Sequence, residues 1–129
     1  MRIVIPDDNF SLFTGTAQLE RLKGLGDVRH YEDNAPDREA LLERLGDAEI
    51  IITTRYQTDF KTTDLLEHMP DLKMIAVMGT RPRQVNMKVA NAKGVTVSCV
   101  PGAISVSIAE HTIMMVLALA KRLPVLMPG

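Results

Sequence analysis

Short β-rich runs alternate with helix-patterned segments along the chain, and this alternation constrains the fold more than any other feature. Strands are expected at Arg2–Pro6, Val28–Tyr31, Glu49–Thr54, Lys73–Met78 and Val95–Val100. Between them lie "TAQLERLKGL", "DREALLERLG", "TTDLLEHM" and "QVNMKVANAKG". Leu19, Leu22 and Leu25 recur at helical spacing, as do Leu41, Leu42 and Leu45, and Gly24, Gly46 and Gly94 fall where helices stop. Five such repeats predict an α/β domain with a mostly parallel sheet, because parallel strands need crossover connections. The third and fourth runs carry Ile, Val and Met without alternation, the pattern of strands covered on both faces. No long linker, internal repeat or low-complexity segment interrupts the series.

The last segment behaves differently. In "SVSIAEHTIMMVLALAKRLP", Ser107 to Glu110 fits an S-x-x-E capping box, and Ile113 to Leu119 place apolar side chains on every face. A helix that is apolar all round requires burial all round, and one sheet covers only one side. The uncharged run from Thr112 to Ala120 is far short of the ~20 residues of a membrane span, so a buried helix is expected. Self-association through the 107–123 helix would cover its free face. Nothing after Met1 resembles a signal peptide, and a single cysteine, Cys99, suits a reducing compartment, so a cytoplasmic protein is expected. The net charge of −1 is scattered, without the basic stripe that nucleic acid requires.

In open α/β sheets, ligands bind beyond the carboxyl ends of the strands. Asp7 and Asp8 stand there after the first strand. A Mg²⁺ site would need a third carboxylate after the third strand, where the chain has Thr53, Thr54 and Arg55, and a lysine after the fifth, where it has Val100-Pro101-Gly102. Solvated turn carboxylates are therefore expected, and no metal site. "GLGDVR" lacks the third glycine and the following helix of a dinucleotide loop. His30, His68 and His111 read as structural, and Cys99 as a buried thiol. An anion site remains: Gly79 and Thr80 follow a buried strand, Arg55 ends the neighbouring one, and Arg81 and Arg83 add positive potential. The alternative is a merely basic surface loop, and residue types leave both open.

The stretches "DAEIIITTRYQTDFKTTDLLEHMPDLKMIAVMGT" and "NAKGVTVSCVPGAISVSIAEHTIMMVLALAKRLP" resemble the amino-terminal part of the D-isomer-specific 2-hydroxyacid dehydrogenases. The ordered run from Pro101 to Pro124 carries the resemblance furthest. It implies a flavodoxin-like three-layer domain with a parallel five-stranded sheet at residues 1–104, with a C-terminal crossover helix in 105–129. In that family a Rossmann domain follows and binds NAD or NADP, and the active site lies between the two. By this resemblance Arg55, Gly79, Thr80 and Ser105 bind substrate, the first through a guanidinium and the next two through backbone N–H groups. Thr80 and Ala109 approach the cofactor. Glu110 and His111 belong to the family's "A-E-H" element, and no catalytic residue falls within this chain.

The loop departs from the family's usual "A-G-x-G-x-D-N-I-D". It reads Met78-Gly79-Thr80-Arg81-Pro82-Arg83-Gln84-Val85-Asn86, with Arg81 at the second glycine and Pro82 lacking an N–H to donate. Either the substrate differs from the usual small hydroxy acids, or the site has decayed. Two functions are carried forward. One is the substrate-binding part of an NAD(P)-dependent dehydrogenase of 2-hydroxy acids, inactive without its cofactor domain and dimeric through the last helix. The other is a free-standing module binding a small carboxylate or a protein partner.

Overall fold

The computed structural model describes residues 1–54, 58–61, 64–102 and 104–122. Five parallel strands form one sheet: β1 (Arg2–Ile5), β2 (Asp27–His30), β3 (Ile50–Thr53), β4 (Met74–Val77) and β5 (Thr96–Cys99). Their order, β2-β1-β3-β4-β5, is the flavodoxin-like order in a three-layer α/β domain. All five expected strands are present; β2 is shifted one residue toward the amino terminus, and the others are trimmed by one residue at one or both ends. The connections are α1 (Ala17–Lys23), α2 (Arg38–Leu45), a 3-10 turn at Asp64–His68, and α3 (Met87–Ala92). "TTDLLEHM" thus forms a single tight turn where it is described, its first two threonines lying outside the described residues.

Local chemistry accounts for the helix boundaries. Thr16, Asp37 and Asn86 accept from backbone N–H groups of the first turns of α1, α2 and α3. Gly24 and Gly46 terminate α1 and α2, and Gly94 adopts φ +70° just beyond α3, where a side chain would be strained. The core joins Val4, Ile51, Ile75 and Val77 of the sheet to Leu45, Phe60, Leu65, Leu66 and Met69. In β3 and β4 every second residue is only half-buried, a departure from the expected coverage of both faces. The connecting helices have six to eight residues, too short to seal the second face.

The sheet is fastened at both ends by carboxylates. At its amino edge Glu49 accepts from the Arg2 N–H at 2.8 Å and from Lys73 Nζ at 2.7 Å, linking β1, β3 and β4. At its carboxyl edge Asp7 and Asp8 are 1% and 0% exposed, contrary to the expectation of solvated turn residues. Asp7 accepts from the Thr54 N–H at 3.1 Å, the Thr58 N–H at 3.0 Å and the Thr53 hydroxyl at 3.0 Å. Asp8 accepts from the Leu12 and Phe13 N–H groups, and its Oδ2 lies 2.8 Å from His30 Nε2. Buried carboxylates persist only where donors replace water, and these loops supply them.

The final helix, α4 (Ser105–Ala120), begins two residues before the expected capping box. Ser107 therefore lies inside the first turn, and the residue at the cap position, Ile104, makes no side-chain cap bond. The turn is closed by the Ser105 N–H on the Gly102 carbonyl, with Gly102 at φ +77°. No residue of α4 is buried, against the burial expected from its composition: Val106, Ile113 and Leu119 are 70%, 60% and 67% exposed. No helix among the described residues is long and apolar enough to cross a membrane.

Two outcomes follow. Asp7→Asn turns an amide N–H₂ toward groups that are themselves donors, and unfolding in urea should show a loss of about 1–3 kcal/mol. Lys73, aided by the Arg2 N–H, holds the Glu49 carboxyl at about 2 instead of 4.5. A depressed carboxyl stabilises the fold fully above its unfolded value and loses that contribution as pH falls from about 4.5 toward 2. Urea midpoints measured across that window should decline less steeply in Glu49→Gln than in the parent.

Candidate functional site

The usual ligand crevice of this strand order lies where the connections diverge, between β1 and β3. Here it is filled from within. The Asp7 carboxylate and the Thr53, Thr54 and Thr58 groups occupy it, all four residues buried and bonded to one another. Among the described residues no group of three His, Cys, Asp or Glu is placed to hold a metal ion.

A cleft of about 300 Å³ opens further along the sheet, beyond β4 and β5. Gly79, Thr80, Arg81 and Arg83 line it from the loop after β4, and Gly102, Ile104, Ser105 and Ile108 from the start of α4. Several bonds hold these walls. Met78 donates from its backbone to Thr53, and Val100 to Gly79, tying the loop to β3 and to the segment after β5. Buried Val85 bridges to Phe60, and Asn86 caps α3. Between these anchors the Arg83 N–H closes onto the Arg81 carbonyl at 3.0 Å across Pro82.

The expected site residues are only partly assembled. Gly79, Thr80 and Ser105 share the cleft. Ala109 is exposed on α4 next to Ile108 and does not line it. Arg55 lies outside the described residues. The Gly79 N–H, expected as a free donor, is directed to the Val77 carbonyl at 2.8 Å because the chain turns tightly there. Among the described residues the Thr80 and Arg81 N–H groups meet no acceptor, and neither do those of Gly102 and Ile104 on the opposite wall. Among the described residues neither the Arg81 nor the Arg83 guanidinium has an ion-pair or hydrogen-bond partner, and no Asp or Glu lines the cleft. The first turn of α4 adds the positive end of a helix dipole. Positive potential meets no counter-charge among the described lining residues, which suits the cleft to an anion.

Sequence reasoning missed Gly102, Ile104 and Ile108, which form the opposite wall. The Pro101-Gly102 pair was the available signal, since such a pair marks the turn that brings α4 back over the strand ends. It also missed Gln84, which is 5% exposed with both amide atoms unpartnered beneath the loop. Of the residues read as structural, His68 and His111 are exposed, His30 belongs to the Asp8 network, and Cys99 is a free, half-buried thiol, less enclosed than expected.

Comparison with known proteins places these features. Residues 11–121 match the D-isomer specific 2-hydroxyacid dehydrogenase, catalytic domain. Formate dehydrogenase 1 of Saccharomyces cerevisiae is 32% identical over 90 residues, covering 69% of this chain and 24% of the yeast protein. The phosphoglycerate oxidoreductase from Vibrio cholerae superposes with a TM-score of 0.73 at 32% identity, over 92% of this chain and 36% of that one. D-Lactate dehydrogenase from Aquifex aeolicus, complexed with NAD and lactic acid, gives 0.71 at 27% identity, over 98% of this chain and 35% of that one. The chain thus spans a quarter of the yeast enzyme and little more than a third of each solved chain.

Proposed function

Because this chain belongs to the D-isomer-specific 2-hydroxyacid dehydrogenase family, we propose that it is the substrate-holding part of such an enzyme. The cleft beyond β4 and β5 receives the carboxylate of a 2-hydroxy or 2-keto acid. Thr80 and Arg81 donate backbone N–H groups to it, Ser105 offers a hydroxyl from the opposite wall, and Arg55 adds its guanidinium. The observation that carries this reading is a cleft whose described lining has unbonded N–H groups at Thr80 and Arg81, positive side chains and no acid.

Hydride exchange with NAD or NADP is assigned to a second domain, which approaches over α4 near Thr80 and Ala109. Two features support that division between residues 1–104 and 105–129. The loop after β1, where a dinucleotide fold places its glycines, holds the buried Asp7 and Asp8 carboxylates instead, and these would repel a pyrophosphate. The bare apolar surface of α4 is suited to close packing against another body. Without the second domain, the chain pairs with another copy through α4, and sedimentation at micromolar concentration should show a dimer that Leu117→Glu dissociates.

The cleft assignment is checked by titrating ¹⁵N-labelled chain with D-lactate. Saturable shifts centred on the Thr80, Arg81 and Ser105 amides are expected, with pyruvate-dependent NADH oxidation remaining at background. Oxidation of NADH by the chain alone, or lactate-induced shifts confined to other regions, would refute the assignment.

A further inference from the structure

The cleft carries more positive charge than one small carboxylate requires. Among the described residues its two guanidiniums have no partner, whereas Arg2 bonds Asp71, Arg29 bonds Asp47 and Arg38 bonds Asp64. These pairs show that acids lie within reach of some surface arginines, while the described lining of the cleft holds none. The volume is also generous. About 300 Å³ is room for on the order of ten water molecules at ~30 Å³ each, so an acid the size of lactate leaves much of it unfilled.

The backbone fixes where the spare charge sits. Pro82 restricts its own φ, the Arg83 N–H closes onto the Arg81 carbonyl at 3.0 Å, and the Val85 N–H closes onto Pro82 at 3.0 Å. Buried Gln84 and Val85 anchor the base of the turn, so Arg81 and Arg83 flank Pro82 on a constrained tip. A constrained tip loses less freedom on binding than a floppy loop would. The free N–H groups of Thr80 and Arg81 lie on one flank of this turn, and the guanidinium side chains add a second set of donors with fork geometry.

We infer that the cleft selects a 2-hydroxy or 2-keto acid bearing a second anionic group, either carboxylate or phosphate, and that Arg81 and Arg83 bind that group as specificity-determining residues. The inference rests on the reading of the cleft as the substrate site. It assigns the first carboxylate to the backbone donors and the second anion to the side chains. One guanidinium can take a carboxylate through two parallel bonds, and two together accommodate the greater charge of a phosphate.

The test is a titration of the full chain, at low salt, with D-lactate, D-malate and 3-phospho-D-glycerate, followed through the Thr80 and Ser105 amides. Malate or phosphoglycerate should bind at least about tenfold more tightly than lactate, with the preference shrinking as salt is added. Comparison of malate with phosphoglycerate identifies which second group the arginines favour. In the Arg81→Ala/Arg83→Ala double variant the ratio should fall to about one, and Arg81→Lys/Arg83→Lys should restore part of it. Amide spectra of each variant verify the fold, as both side chains are exposed. Equal affinity for lactate, malate and phosphoglycerate, or a ratio unchanged in the double alanine variant, overturns this inference and leaves the substrate-site reading standing. Failure of all three acids to shift these amides overturns both.

Discussion

The rest of the structure depends on the Asp7 carboxylate, enclosed at the carboxyl end of β1 and accepting from the loop after β3. A buried carboxylate is tolerated only when its lone pairs meet donors, and the Thr54 and Thr58 N–H groups with the Thr53 hydroxyl provide them. That requirement fixes how the third loop lies against the first. It also determines where Phe60 falls, and Phe60 in turn bridges to Val85 at the base of the cleft loop. One electrostatic constraint therefore runs from the centre of the sheet to the wall of the candidate site, several residues away from any ligand.

The same constraint moves the site. A doubly wound sheet offers a crevice where its connections diverge, but here that crevice is occupied by the protein's own polar groups. Free donors appear one strand further on, beyond β4 and β5, where the loop bearing Thr80, Arg81 and Arg83 lines a cleft with no acid among its described residues. The tight turn at Gly79 contributes to this arrangement by consuming one donor internally and presenting the next two. Preorganised donors in fixed positions bind charge without first having to be ordered, which gives a rigid loop its advantage over a mobile one.

At its far end the molecule presents α4, whose apolar residues are exposed on every side. The cleft uses only the first turn of this helix, through Ile104, Ser105 and Ile108. The remaining turns have no role within the domain's own core. One helix therefore lines the candidate cleft with its first turn and presents an apolar surface with the rest.

The parallel α/β class, the five strands and most helix ends were legible from local pattern, because apolar spacing, caps and glycine stops act over a few residues. Thr16, Asp37 and Gly94 signal their roles within one turn of chain. The run from Pro101 to Pro124 likewise identified the family before any contact was known. What was not legible depends on residues distant in sequence. Asp7 and Asp8 look like turn residues until Thr54 and His30, 47 and 22 positions away, enclose them. The start of α4 is set by a turn at Gly102 and not by the capping residues its sequence advertises. Nor does a string of letters reveal that the Gly79 N–H is already bonded while those of Thr80 and Arg81 are free. Local chemistry determined which elements form; tertiary structure decided which polar groups are left over, because a donor is free only if nothing elsewhere in the fold has claimed it.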